Sequence, residues 1–528
     1  MPPTKAQIFA LSIDGGYNTE AGPSAGFRAN EAGVVSVPWL TRANNVTFSL
    51  DGWPRKMPGA SKVNSSATGA TDHVMGIFDY WKSTTSGDLV QKRLIYSGTD
   101  ILKDDADGIF DSLSLTLEAD KMPWFEVFDD KCIMASTSTV DVPQTYDQST
   151  IANLGGTPPN FSIFTEHKDR MWAAGVDALK SRLYYSVLSS AADWTGSGSG
   201  SIDISPDDGD VITGLVSHKD QLIIFKGPNK GSIWRITGSA PTGDDAFALR
   251  VFIRGVGCTS QQSIVRVRDD LLWWDDLGIH SLTATAAYGD YNEAFVSAPI
   301  ATDFTKWLNH SRFRSVWGVN FAQGGYAAWT VSRSGSSTNN LIIVFDYRFN
   351  PPRFSYWPVA SVASIGIVKD TSRETVPWFG TYTGFVLRGN RSDRNWMGNA
   401  ISADTILPYL SFGDPFYDKQ IVAARIGFQP KGISSFTIGY KRDAQTQQTV
   451  SIPQTGTAAI LGSTASPFML NTSILGAKRY INKFFEPTGQ FKEIQFQLTE
   501  PTVNVDFEPH SLAVQVESAG VGLRDIVG

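Results

Sequence analysis

Two carboxylates beside two tryptophans, in Trp273-Trp-Asp-Asp-Leu-Gly, come nearest in this chain to a set that could do chemistry. Glycan-cleaving enzymes work with paired carboxyl groups, and sugars stack on flat aromatic faces. A strand, however, sends successive side chains to opposite faces, so Trp273 and Trp274 part and core packing claims at least one of them. Two acidic stretches, Asp104-Asp-Ala-Asp-Gly and Asp207-Asp-Gly-Asp, offer oxygen ligands for calcium. The twelve-residue EF-hand spacing is missing from both, and a solvated β-turn is the expected reading. The histidines stand at 73, 167, 218, 280, 310 and 510, no two of them close in sequence. Asp276 with His280, and Asp506 with His510, are spaced as they would be on one helix face, but both stretches read as turn or strand. A metal triad is therefore not expected.

No phosphate-cradling loop, no zinc-binding helix motif and no nucleophile elbow occurs. The sialidase repeat, Ser-x-Asp-x-Gly-x-Thr-Trp, is approached only by Ser189-Ser-Ala-Ala-Asp-Trp, which lacks the glycine and threonine. Arg388 to Arg394 is the densest basic patch and reads as a solvated or interface loop. Cys132 and Cys258 lack CxxC spacing, so buried thiols are expected rather than a disulfide or a metal knuckle. These residues lead to the expectation of no catalytic, cofactor-binding or metal-ligating set, and no cofactor.

The elements around them are strands. Four segments share an apolar strand, a short polar turn and a second apolar strand: Trp124 to Met134, Phe161 to Trp172, Ile212 to Phe225, and Ser263 to Trp274. Their turn aspartates, Asp129, Asp169, Asp220 and Asp269, are separated by 40, 51 and 49 residues. About four strands in each 40–50-residue period is the signature of propeller blades. Arg93 to Lys103 reads as a hairpin turning at Gly98, and the theme continues through Phe313 to Pro358 and Ala360 to Arg388. The predicted fold class is all-β: a β-propeller of six or seven blades over 71–393, followed by an antiparallel β-sandwich or platform over 394–528. Residues 1–70 carry no blade pattern and read as an extended segment packing on the platform or on an adaptor. A series of flat sandwiches is the competing architecture. Helical periodicity is confined to a short turn near Thr302 to Leu308.

The chain has 528 residues, 41% of them hydrophobic, which suffices for a large core; only 18% are charged, as suits a surface that ends up inside an assembly, or else a large β core. A formal net charge of −7 argues against a phosphate-gripping surface. The start has no secretory pattern and no stretch is apolar enough for a membrane span, so a soluble protein made in a cytoplasm is expected.

Several segments, in order, resemble the tail nozzle proteins of short-tailed bacteriophages, also called tail tubular protein B. They are Ile13-Asp-Gly-Gly-Tyr-Asn-Thr-Glu, Ala29-Asn-Glu-Ala, Asn44-Asn-Val and Arg55-Lys-Met-Pro-Gly, then Gln91 to Thr99, Leu183-Tyr-Tyr-Ser with Asp193-Trp, Ile223 to Gly238, Gly255-Val-Gly-Cys-Thr-Ser and Asp276-Leu-Gly-Ile. The resemblance implies a homohexameric ring in the virion, assembled in the host cytoplasm and docked on a tail adaptor protein beside tail fibre or spike proteins. Genomic DNA would pass through its channel without specific binding. It implies no catalytic residues. A loop that closes the bore is expected, with Gly196, Gly198 and Gly200 in the Gly/Ser run Thr195 to Ser201 as the candidate. The rival readings are a receptor-binding adhesin or a polysaccharide depolymerase acting through Asp275 and Asp276.

Overall fold

A four-stranded meander that is apolar on both faces cannot stand alone in water; it must be covered on each side by another sheet. The computed structural model describes residues 6–13, 15–19, 35–36, 39–69, 71–105, 107–288, 295–358, 361–412, 416–429, 434–443, 445–454 and 481–520. It divides into two compact units, one of Lys62–Ile342 with Ala360–Gly389 and one of Met1–Ser61, Ile343–Val359 and Asn390–Gly528. Asp14 and the Asn-Glu-Ala step at 30–32 lie outside the described residues.

The first unit is a seven-bladed propeller. Blade 1 runs through Val74–Ser83, Leu89–Ser97, Asp100–Asp104 and Phe110–Ser112; blade 2 through Pro123–Phe128, Lys131–Ser136, Gln144–Tyr146 and Ile151–Asn153. Blade 3 has Ile163–His167, Arg170–Ala174, Arg182–Tyr185 and Gly200–Asp203; blade 4 has Val211–His218, Gln221–Gly227, Ser232–Thr237 and Ala248–Arg254. Blade 5 keeps three strands, Val265–Val267, Asp270–Trp274 and Ile279–Ser281. Blade 6 contributes the hairpin Trp317–Phe321 with Tyr326–Val331, and blade 7 Val362–Lys369, Thr375–Thr381 and Val386–Arg391. The first strand of each blade packs against that of the next, blade 5 using the turn before its first strand as well, and Val362–Lys369 closes the ring against Val74–Ser83.

Each predicted turn aspartate sits in the two-residue hairpin between a blade's first two strands. Asp129 with Asp130, Lys168 with Asp169, and Lys219 with Asp220 all have left-handed φ values, between 46° and 61°. Two-residue hairpins of the primed type require that backbone, and aspartate tolerates it better than most side chains. The second strands are apolar on both faces because both are covered. Leu222 and Ile224 join Trp172 and Leu183 of blade 3, while Ile223 and Phe225 join Leu271 and Trp273 of blade 5.

The second unit is a two-sheet sandwich. One sheet orders Val35–Ser36, Gln7–Ser12, Pro509–Gly520, Asp418–Phe428 and Ile481–Phe485; the other orders Arg353–Trp357, Arg42–Asn44, Ala403–Ile406, Ile494–Glu500, Ser434–Arg442 and Gln448–Gln454. Leu11, Ile426 and Val514 from the first meet Phe436, Ile438 and Leu498 from the second in one core. Residues 343–359 were expected in a blade, and the structure groups them here instead. The cause is backbone pairing: Tyr356 sits opposite Asn44, and Trp357 donates its indole N–H to the Val46 carbonyl at 2.9 Å. The expected helical turn near Thr302 is Ala301–Lys306, and a second helix, Leu282–Tyr288, had no sequence signal. Among the described residues no helix is long and apolar enough to cross a membrane.

The core of this unit holds a buried ion pair. Lys56 Nζ lies 2.6 Å from Glu500 Oε2 and also donates to the Thr502 carbonyl at 2.6 Å; both charged side chains are fully buried. Beside them Asp506 receives Arg55 at 2.6 Å and Arg394 at 3.0 Å. Burial alone pulls the Lys56 ammonium down, and the Glu500 carboxylate pulls it back up. Removing one partner of such a pair strands the other charge. Lys56→Met is expected to cost about 3–5 kcal/mol in urea unfolding, and Lys56→Met with Glu500→Leu to recover most of that loss.

Candidate functional site

The tryptophans of the acid-and-tryptophan stretch belong to the core. Trp273 and Trp274 are both fully buried, and the strand alternation sends them into two separate packings. Trp273 stacks on His280, packs at a tilt against Phe225 and donates to the Gly257 carbonyl, while Trp274 packs on Phe304 and Phe313. Neither offers a face to a sugar. Asp275 closes the turn with Gly278 and has a carboxylate oxygen 3.4 Å from His280 Nε2. Asp276 is pushed up, first by burial and then by the charge of Asp275.

The acidic turns spend their oxygens on the chain itself. Asp104 is buried, pairs with Arg93 at 2.9 Å and caps the N–H groups of Asp107 and Gly108. Asp208 pairs with Lys226 at 2.7 Å, and Asp210 accepts the N–H groups of Asn229, Lys230 and Gly231. Arg388, Arg391 and Arg394 are each paired with a carboxylate. Cys132 and Cys258 are buried free thiols, and burial pushes Cys258 up to about 12. Among the described residues no group of three potential ligands could hold a metal ion.

The Gly196, Gly198 and Gly200 loop joins the last two strands of blade 3. Asp193 accepts the N–H groups of Thr195 and Gly196, Arg170 donates to the Gly198 carbonyl at 2.8 Å, and Gly200 starts the fourth strand. Trp194 anchors the loop's root against Phe161 at 5.4 Å.

One Ser–His contact looks like a nucleophile with its base. His167 Nδ1 lies 2.8 Å from Ser217 Oγ, and His167 Nε2 is buried without a partner. Burial pulls the imidazole down to about 4, too weak a base to activate a serine at neutral pH, and no carboxylate orients the ring. The contact straps blade 3 to blade 4.

What the sequence did not reveal is the ring's centre. The turn Thr259–Ser263 leads into blade 5 as a run of buried polar residues with no motif to mark it. Gln261 pairs with both backbone groups of Leu215 in blade 4, at 2.6 and 2.8 Å. Gln262 donates to the Pro123 carbonyl of blade 2 at 3.1 Å, Ser260 to Val316, and Ser263 accepts from Trp329 of blade 6. Blades 2 and 5 are not neighbours in the ring, so the Gln262 bond crosses the middle and fills it. Beside this turn lies a cavity of about 440 Å³, walled by hydroxyl and amide side chains, by apolar ones such as Ile163, Val176 and Ile212, and by Asp177, Lys180 and Arg314. Elsewhere on the first strands, Glu126 is pushed up to about 7, first by burial and then by Glu166, against the pull of Arg266. Among the described residues these contacts assemble no nucleophile with base and acid.

No family model matches the chain, and no curated protein matches it. Among solved structures it is similar to YCF48 bound to D1 peptide, at 8% identity and a TM-score of 0.36 over 63% of this chain and 97% of that one. A gluconolactonase from Xanthomonas campestris gives 11% identity and a TM-score of 0.31, covering 66% of this chain and 95% of its own. An exo-beta-1,3-galactanase from Phanerochaete chrysosporium, solved with galactose, gives 7% and 0.25 over 87% and 100%. Scores this low carry no argument about activity.

Gln261→Ala leaves the Leu215 N–H and C=O buried without partners, and a loss of about 1–3 kcal/mol in urea unfolding is expected. For Glu126 the folded-state value, about 7, lies above the ordinary 4.5. The folded chain therefore holds this proton more tightly, and the stability it contributes is lost as pH rises between those values. The melting temperature of Glu126→Gln minus that of the natural chain should grow more positive from about pH 5 to about pH 8. A flat difference would show that Glu126 ionises as an ordinary glutamate.

Proposed function

We propose that this chain is a structural subunit of the tail nozzle of a short-tailed bacteriophage. In this reading six copies form a ring in the virion, docked on a tail adaptor protein and flanked by fibre or spike proteins. The ring is gated before infection and then passes genomic DNA without gripping it, and the chain itself is not a catalyst. The observation that carries the reading is where the nozzle-like segments fall. Arg55 and Lys56 anchor the buried charge network of the sandwich, and Ser232–Thr237 is the third strand of blade 4. Gly255 to Ser260 leads into the buried crossing at the ring's centre, and Asp276 to Ile279 is a turn of blade 5. The recognisable residues are joints, and a chain whose motifs are joints works by keeping a shape.

Two further features support the reading. The propeller's own centre is occupied by Gln261 and Gln262, so the passage for DNA runs between copies rather than through a propeller. A net charge of −7 suits a wall that a polyanion must slide past. The depolymerase alternative drew on the acids around Asp275 and Asp276 with Trp273 and Trp274 as sugar platforms, and those two rings are buried.

Solution mass of the purified protein, followed by class averages of negatively stained particles with the adaptor protein added, tests the proposal. The expected result is a six-fold ring with a central hole. A trimer without a passage, persisting when adaptor is present, would overturn it.

A further inference from the structure

Two blades of this propeller set opposite charges face to face on their outer strands. In blade 1 Lys103 lies directly across from Asp111, with its Nζ 3.3 Å from the carboxylate, and in blade 3 Arg182 lies across from Asp203 at 2.6 Å. Both pairs join a third strand to a fourth. The third and fourth strands of blade 4 instead set Arg235, on Ser232–Thr237, directly across from Arg250, on Ala248–Arg254. Like charges directly opposite each other on paired strands are destabilising. Arg235 is half-buried and Arg250 exposed, and no hydrogen bond or ion pair of either guanidinium occurs among the described residues. Asp245, in the loop that joins the two strands, accepts the Ser239 hydroxyl instead. Phe252 is the extra residue of a bulge in the fourth strand, and its ring centre lies 5.0 Å from the Arg235 guanidinium carbon. A guanidinium resting on a ring face keeps its N–H edge for an acceptor.

The blade therefore supplies two cations and no anion, and the missing charge has a definite form. A carboxylate brings one charge, enough for one guanidinium, as in blade 3. A phosphate monoester brings nearly two charges and three acceptor oxygens, so a single group serves both arginines. A phosphate diester, as in a nucleic-acid backbone, brings one charge, and a chain of net charge −7 does not draw a polyanion. We propose that Arg235 and Arg250 bind a doubly charged phosphate group, free or as the end of a larger molecule, on the outer strands of blade 4. The site lies within one blade and does not depend on the nozzle reading.

Titration calorimetry on the full chain at constant ionic strength and about pH 8, where a phosphate monoester is doubly charged, tests it with four separate probes: inorganic phosphate, methyl phosphate, dimethyl phosphate and acetate. The two doubly charged phosphates are expected to bind, and dimethyl phosphate and acetate to bind at least about tenfold more weakly. Methyl phosphate binding as well as inorganic phosphate assigns the site to the terminal phosphate of a larger molecule, and binding of inorganic phosphate alone assigns it to the free ion. Arg250→Asp rebuilds the pattern of blade 3. It should abolish phosphate binding and, in chloride, raise the melting temperature by roughly 1–2 °C, which loss of a merely structural arginine would not do. The comparison among probes on the natural chain needs no variant, so a misfolded mutant cannot hide the answer. No heat with either doubly charged phosphate, equal affinity for dimethyl phosphate or acetate, phosphate binding that survives Arg250→Asp, or a lower melting temperature of that variant would each overturn the proposal.

Discussion

Seven wedges arranged about an axis hold together only if the last one meets the first, and this ring closes where Val362–Lys369 packs on Val74–Ser83. The approach there is closer than any side chain allows. A Cβ on Gly366 would stand 2.8 Å from Ile77 Cβ, and one on Gly380 would stand 2.4 Å from the Val74 carbonyl oxygen. Around these glycines Val74, Ile77, Ile95 and Leu102 of blade 1 are buried with Val368, Val376, Trp378 and Val386 of blade 7. Blades 1 and 7 are covered on both faces only once this seam is shut. The same convergence makes the centre so narrow that two glutamines and a few hydroxyls fill it, and that filling ties blade 5 to blades 2, 4 and 6.

Much of the propeller was legible because its local rules are strict. The turn aspartates repeat because a two-residue hairpin demands left-handed backbone, and the second strands run apolar because neither face sees water. The four sandwich strands read from alternating patterns at Gln420, Ser435, Phe491 and Ser511 fall within or beside the strands observed there. Long-range partnership was not legible. Arg353–Trp357 looks like any blade strand, and its place beside Arg42–Asn44 is decided by residues three hundred positions away. The crossing at Gln261 and Gln262 reads as a polar loop, because nothing local says that Leu215 and Pro123 wait to receive it. Trp273 and Trp274 advertised chemistry for a related reason: a tryptophan pair has the same letters whether it faces solvent or lies under Phe304 and Phe225.

Most residues that look reactive here are spent on holding the backbone. Asp104, Asp208 and Asp210 cap turns or neutralise lysines and arginines, and Asp506 bridges Arg55 and Arg394. Buried carboxylates persist when their oxygens are satisfied, and these are satisfied by main-chain N–H groups or by cations.

The sandwich has its two edges of chain far apart in time. Gln7–Ser12 pairs with Pro509–Gly520, strand against strand, with nearly the whole protein between them. A ribosome adding roughly 5–20 residues each second reaches the second strand about half a minute to two minutes after the first. Throughout that interval the nascent chain carries a strand, Gln-Ile-Phe-Ala-Leu-Ser, whose edge toward Pro509–Gly520 is open and of the kind that pairs readily with strangers. The propeller, whose last strand ends at Arg391, can be complete on the ribosome while that strand is still waiting. Synthesis of this protein is thus a race between its own last strand and any other exposed edge in the cell, and chaperone occupancy of the first residues is where that race would be decided.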